Sequence, residues 1–471
     1  MTMKKYTILL LALIFLLTTA GCTRQEVVTP EDQPDSSAPV TESPEMPLAD
    51  IPLTFSLIEN TLDEPFLKYR ESYELIGNLE NTKIRTHVNQ SILKAVDAFK
   101  NNTYQMEKTM SQGNDIPAVA SAVGKATFFD NSLMSYKLVT ESSSDGGAPY
   151  QIKTYFNFDL KTGQPIRLGD VISKNRLAEK VSSRFPGYKD AIDKLNYDAS
   201  QMGNFYFTAP DEIIYVIDQY TFDYEQQSPL IIAINDISYD SSKKLMIGTA
   251  VKNGTRVISE NSYEMYFSYP IFEDTSVLYT AINSEITESL NSVFDYGSSM
   301  AISDHNFDSQ NSESADTSSE GDVISEPNSG DGEASDYVLP PYWFNVYYNI
   351  YTNNEKILSF GLYDYQYTGG AHGLSVGSFY SYDLEKKKLI KLSDLFEPKF
   401  DYITYINDQI YRKIDSETKH DPESAYAYYD FNGITEDVKF YIEDNNLVIF
   451  FDQYEIAPYA SGTPTFKIPL P

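Results

Sequence analysis

The chain is 471 residues long and carries 68 acidic against 36 basic side chains, a formal charge of −32. A field of that sign repels nucleic acid and anionic lipid and favours basic partners, so no nucleic-acid role is expected. A single cysteine excludes an internal disulfide, leaving hydrophobic cores to hold the fold.

Residues 1–21 read as a lipoprotein signal peptide. Lys4 and Lys5 form a basic start, Ile8 to Leu17 an unbroken apolar run of ten residues, and Thr19-Ala20-Gly21 a small-residue stretch before Cys22. Ten residues make about 15 Å of helix, half of what a bilayer core needs. Cys22 after Ala-Gly resembles a bacterial lipobox, with Thr19 where Leu is usual. The expectation is an extracytoplasmic protein anchored to the bacterial membrane by lipidated Cys22. Residues 22–50 are Pro-rich, acidic and free of aromatic rings, which predicts a disordered tether.

Beyond the tether one pattern occurs twice. Gly369-Gly370-Ala371, Asp383-Leu384 and Asp394 align with Gly146-Gly147-Ala148, Asp159-Leu160 and Asp170, and Asp452-Gln453-Tyr454 answers Asp218-Gln219-Tyr220. A period of 224–235 residues is too long for a solenoid and indicates a duplicated domain, 51–240 and 241–471. Each copy starts with strands, at Leu53 to Leu79 and Lys244 to Ile271. A helix follows, with Ile84, Val88, Ile92 and Val96 in one copy and Leu278, Ile282, Ile286 and Leu290 in the other, each on one stripe. Asn89 and Asn283 share a helical position. Tyr342 to Tyr351, Lys356 to Tyr365, Ser378 to Leu384 and Leu389 to Leu392 read as strands, and Tyr402 to Ile414 as a second helix. Lys439 to Ile442 and Leu447 to Phe451 read as a closing hairpin. About 298–336, rich in Ser, Asp, Glu and Gly, reads as a disordered acidic insert containing His305. The fold class is α+β: two duplicated domains, each with helices packed on an antiparallel sheet.

Catalytic motifs are weak. Gly373-Leu374-Ser375-Val376-Gly377 matches G-x-S-x-G, but the residues after it alternate like a strand, whereas a nucleophile elbow leads into a helix. His87, His305, His372 and His420 include no metal-binding spacing, so no metal or cofactor is expected. Paired carboxylates or an oxygen-ligated Ca²⁺ stay open among so many acids, with nothing to choose between them. Tyr367-Thr368-Gly369-Gly370-Ala371-His372-Gly373 is the most distinctive stretch; its His-Gly is Pro149-Tyr150 in the first copy. The loop Ala457-Pro458-Tyr459-Ala460-Ser461-Gly462 likewise belongs to the second copy alone.

These two segments, with Tyr382-Asp383-Leu384, Leu392-Ser393-Asp394-Leu395-Phe396 and Phe440-Tyr441-Ile442, resemble the RsiV-type extracytoplasmic domain. That domain, of formally unknown function, forms the outer half of the anti-sigma factor RsiV and in related form precedes the catalytic domain of the deacetylase PdaC. The likeness covers about 245–471, while 51–240 resembles a degenerate copy. It implies recognition of lysozyme, a basic protein, without catalysis. No sigma-binding segment and no deacetylase metal motif accompanies it here. The expectation is a non-catalytic envelope-binding protein for a lysozyme-like basic protein or peptidoglycan glycan. Its contacts would be Tyr367, Thr368, Gly369, Gly370, His372, Gly373, Ala457, Pro458, Tyr459 and Gly462. A wall hydrolase with unrecognised carboxylates and a structural envelope scaffold are the alternatives.

Overall fold

The computed structural model describes residues 52–110, 116–144, 147–186, 204–217, 229–314, 341–443 and 446–471. The signal peptide, Cys22, the tether, Gly146 and Asp218-Gln219-Tyr220 lie outside the described residues. Among those described, no helix is long and apolar enough to cross a membrane.

The first half opens with strands β1 (Phe55–Asp63) and β2 (Leu67–Ile76), paired antiparallel, and helix α1 (Thr82–Met110). Strand β3 (Ala118–Phe129) then runs parallel to β2, and β4 (Leu133–Ser143) and β5 (Tyr150–Asp159) complete a five-stranded sheet in chain order. Short helices α2 (Leu168–Val171) and α3 (Lys174–Arg184) lead to a small sheet of β6 (Phe205–Ala209), β7 (Glu212–Ile217) and β8 (Leu230–Asn235).

The second half repeats this order with β9 (Val251–Ser259), β10 (Tyr263–Phe272), α4 (Val277–Ser314), β11 (Tyr342–Asn353), β12 (Ile357–Tyr367) and β13 (Leu374–Asp383). A two-residue strand β14 (Lys388–Leu389) is added at the edge. Helix α5 (Tyr402–His420) and the small sheet β15 (Lys439–Glu443), β16 (Asn446–Phe450) and β17 (Thr465–Ile468) follow. The fold is α+β, with one departure from fully antiparallel large sheets: β2–β3 and β10–β11 are parallel. The cause is the intervening helix, which carries the chain back so that the next strand runs the same way.

Each helix stripe is the centre of a core. Ile84, Val88, Ile92 and Val96 pack with Tyr69, Tyr136 and Phe158, and Ile282, Ile286 and Leu290 with Phe267, Phe344 and Phe360. Burial of each aliphatic side chain stabilises by roughly 1.5–3 kcal/mol. The paired asparagines explain the entry to each helix. Asn89 accepts from the Ile76 N–H at 2.9 Å and donates to the Ile76 carbonyl at 3.0 Å, and Asn283 does the same at Phe272, at 3.0 and 2.9 Å. Asp170 and Asp394 also match: each accepts a backbone N–H three residues back, from Arg167 at 2.8 Å and Lys391 at 3.0 Å.

The large and small sheets are joined by a buried serine in both halves. Ser135 accepts the Phe207 N–H at 2.8 Å and donates to Asn157; Ser359 accepts the Ile442 N–H at 3.0 Å and shares a 2.8 Å bond with Ser381. Both serines and both strand partners stand 224 residues apart, the spacing of the aspartates.

Helix α4 runs farther into the acidic segment than its composition suggests. Residues 298–314 continue α4, and 315–340 lie outside the described residues. His305 therefore sits on a helix, its Nδ1 2.8 Å from the Ala301 carbonyl and its ring edge-on to Tyr342. Tertiary contact by a fully buried Ala301 overrides the poor helix propensity of the Ser/Asp run.

The two halves pack together through α1. Gln90 accepts the Asn253 N–H at 3.0 Å, Lys83 donates to the Ile247 carbonyl at 2.8 Å, Lys94 donates to the Tyr348 carbonyl, and Lys108 pairs with Glu264.

Candidate binding surface

The turn between β12 and β13 is built by backbone geometry. Gly369 and Gly370 have φ of 96° and 87°, a region costly for residues with a Cβ. The Tyr367 hydroxyl donates to the Gly370 carbonyl at 3.0 Å, closing the turn. Gly373 serves close approach: a Cβ there would lie 2.5 Å from both the Gln366 carbonyl and the Tyr365 ring. Burial raises the Tyr365 phenol pKa, and the Gly373 backbone hydrogen-bonds that hydroxyl.

The last loop is anchored from below. Ile456 and Ala457 are buried in the core of the small sheet, and Ser461 and Gly462 N–H groups close a turn onto Pro458 and Tyr459 carbonyls at 2.9 Å. Asp452 and Gln453 dock it to the free part of β13's edge. Gln453 Oε1 accepts the Ser375 N–H at 2.9 Å, and Asp452 Oδ1 accepts the Gly377 N–H at 3.1 Å. The other Asp452 oxygen pairs with Lys439. These two side chains take up edge donors that would otherwise be open to another strand.

Docking brings the two distinctive segments into contact. The His372 ring stacks on Tyr459 with centroids 3.7 Å apart and 16° between planes. Its Nε2 lies 3.2 Å from the Tyr454 hydroxyl and its Nδ1 3.2 Å from the Gly373 carbonyl. A carbonyl only accepts, so Nδ1 carries hydrogen, and the neutral ring then accepts from Tyr454 through Nε2. His372 remains exposed, and Tyr454 is 57% exposed.

The expected residues divide by what they present. Thr368, Gly370, His372 and Pro458 are exposed; Tyr367, Gly369, Tyr459 and Gly462 are half-buried. Gly373 is buried in the hairpin, and the Ala457 side chain faces the core and serves packing. Three aromatic neighbours escaped the sequence reading: Trp343, Tyr347 and Tyr454. Trp343 lies against Tyr367 at 5.7 Å, and Tyr347 stacks on Tyr363 at 4.9 Å, both in register across β11 and β12. The four-residue spacing of Trp343 and Tyr347 in a strand places them on one face, a signal available from the sequence.

The G-x-S-x-G match does not form a nucleophile elbow. Ser375 lies within β13, with its N–H held by Gln453, and that strand continues to Asp383. Among the described residues no cluster of three or more His, Cys, Asp or Glu side chains is placed to hold a metal. At the first-half position of His372-Gly373, Pro149 is followed by Tyr150, 65% exposed.

Two family models match the second half: "Deacetylase PdaC" over residues 257–375, and "Protein of unknown function (DUF3298)" over 393–470. The anti-sigma-V factor RsiV of Bacillus subtilis is 34% identical over 108 residues, 22% of this chain and 38% of that protein. The peptidoglycan-N-acetylmuramic acid deacetylase PdaC of the same organism is 25% identical over 125 residues, 26% of this chain and 27% of that protein. The chain thus spans well under half the length of these curated relatives. A crystal structure of a DUF3298-family protein from Bacteroides fragilis aligns with 47% of this chain and 92% of its own, at 19% identity and a TM-score of 0.35. One from Pseudomonas aeruginosa aligns with 47% and 90%, at 16% identity and a TM-score of 0.32. The second half of the chain carries domains related to those of RsiV and PdaC.

Proposed function

We propose that the protein is a lipid-anchored, non-catalytic envelope protein that recognises a wall-associated partner through the His372–Tyr454–Tyr459 surface, with a lysozyme-like basic protein as that partner. The two halves, 51–240 and 241–471, arose by duplication, and the second kept the recognition loops. The observation carrying this reading is the stacking of His372 on Tyr459, which joins two segments found only in the second half into one exposed aromatic patch. Aromatic rings fixed by neighbours anchor interfaces at low entropic cost, and the charge of −32 steers a cationic partner. Relation to RsiV and PdaC supports an extracytoplasmic, envelope-related setting. A glycan is the second reading, favoured by the rings of Trp343 and Tyr347, which stand on one strand face beside the patch.

Retention of the purified protein by immobilised lysozyme and by insoluble peptidoglycan tests both. Lysozyme retention lost on joint His372→Ala and Tyr459→Ala substitution supports the main reading. Retention by peptidoglycan alone moves the assignment to the glycan, and retention unchanged by the two substitutions removes these loops from it.

A further inference from the structure

Between the two halves lies a cavity of about 700 Å³, a size usual for small-molecule sites. One wall is a stripe of α1 formed by His87, Gln90, Ser91, Lys94 and Ala98; β11 from Tyr348 to Asn353 forms another. The stripe is the face of α1 left over once Ile84, Val88, Ile92 and Val96 have turned into their own core.

The charge of this cavity runs against that of the molecule. Acids outnumber bases nearly two to one along the chain, yet the wall carries Lys94, Arg167, Lys243, Lys244 and Lys467 against a single carboxylate, Asp170, among the described residues. Three of the lysines have an acid of their own: Lys244 with Asp170 at 2.7 Å, Lys467 with Glu443 at 3.4 Å and Lys243 with Asp240 at 3.8 Å. Lys94 is held differently. Its ammonium donates to the Tyr348 carbonyl and sits 3.8 Å from the centroid of the Tyr348 ring. A carbonyl dipole and a ring face attract a cation without neutralising it, and burial lowers the Lys94 pKa to about 8. Two turns earlier on the same stripe, His87 Nδ1 is shut off from solvent with no hydrogen-bond partner among the described residues.

The repeat supplies an internal control. With α4 aligned on α1 through Asn283 and Asn89, Ala281 stands for His87 and Glu288, fully in solvent reach, stands for Lys94. At these two positions imidazole and ammonium therefore occur only on the copy of the helix that faces the cavity.

We propose that this inter-half cavity binds a small organic oxyanion, a carboxylate or phosphate borne on a body of sugar or short-peptide size, with Lys94 as its principal charge partner. Arg167 and Lys244 flank the anion, and Lys467 contributes from the second half. The bound oxyanion neutralises Lys94, the lysine of this wall with no carboxylate partner among the described residues, while Phe158 and Ile350 offer apolar contact to its body. This site is separate from the His372 surface.

Titration calorimetry and thermal unfolding of the purified protein with inorganic phosphate, citrate and N-acetylmuramic acid test the proposal, with uncharged N-acetylglucosamine as control. At least one oxyanion is expected to release heat and raise Tm while the control does neither. A response to phosphate alone or to the carboxylates alone identifies the source of the charge. Lys94→Met is expected to weaken binding about tenfold or more, the loss of one charge-assisted bond. Lys467→Glu, at the rim and outside any core, weakens it several-fold and serves where Lys94→Met fails to fold. The proposal is overturned if no oxyanion binds up to about 10 mM, or if binding is indifferent to both substitutions. Joint His372→Ala and Tyr459→Ala substitution leaves oxyanion binding intact, so this proposal and the lysozyme reading fail independently.

Discussion

The two sheet junctions share one contact and differ in what surrounds it. In the first half Ser135 donates to Asn157, whose amide goes on to the Phe205 carbonyl at 2.9 Å, so the junction is a polar relay. In the second half Ser381 replaces that asparagine, and more rings gather: Tyr351 stacks on Tyr441 at 3.7 Å with Phe379 and Phe450 beside them, where the first half has Tyr155 stacked on Tyr206 at 5.1 Å. The serine that receives the small sheet's N–H is common to both. Shared residues satisfy backbone groups that any sequence on this topology must satisfy. Residues present in one half only, His372 with Tyr459 and Lys94 with His87, face solvent or a cavity.

The aspartates that end β5 and β13 offer the largest test of that division. Asp159 is fully buried, taking the Tyr239 hydroxyl at 2.8 Å and the Lys161 N–H at 2.8 Å as well as Ser241, whereas Asp383 accepts the Lys386 N–H at 2.8 Å near the surface. Asp159→Ala should cost on the order of 3 kcal/mol or more in urea unfolding and Asp383→Ala about 1 kcal/mol. Equal losses would break the contrast.

The asparagine clamps come next. Asn89→Ala and Asn283→Ala each strand a backbone N–H and C=O, and each should lose about 2–3 kcal/mol. A clear inequality between the two would show that the clamps are less alike in solution than in geometry.

His87→Ala, which copies Ala281 of the other helix, sharpens the comparison through pH. Burial lowers the His87 pKa to about 4 from an ordinary 6.5, and Lys94 and Arg167 line the same cavity. Between pH 6.5 and 4 the unfolded imidazole takes up a proton that the folded one refuses. Stability is therefore lost as pH falls through that window, by up to about 3 kcal/mol, and is unaffected above it. The alanine variant should lose this component, read as a flatter dependence of unfolding free energy on pH. The smallest effect on stability belongs to the proposed recognition surface: His372→Ala and Tyr459→Ala should each cost less than about 1 kcal/mol while reducing lysozyme retention.

Much of the scaffold was legible in the chain because it rests on local periodicity. The stripes of α1 and α4, the aromatic strand β11 and the paired asparagines are all written within a few turns or residues. Strand β17 was missed: Thr465–Ile468 is four residues long and follows an irregular loop, and only pairing with β16 makes it a strand. The end of α4 was misread because Ser and Asp signal coil, while Ala301 and His305 bind that segment to β11's start from afar. The contact between His372 and Tyr459 joins residues far apart in the chain and leaves no trace in spacing. Nothing in the spacing of His87, Gln90, Ser91 and Lys94 on α1 signals a cavity. Only the packing of the second half over it makes a cavity.

Helix α1 belongs to two neighbours at once. Its apolar stripe completes the first core, and Gln90, Lys94 and Lys108 hold the second sheet. A part shared in this way denies either half a private melting transition, since loosening one withdraws a wall from the other. Heat or denaturant should then meet a single cooperative body, and a protease would find no early cleavage point at the seam.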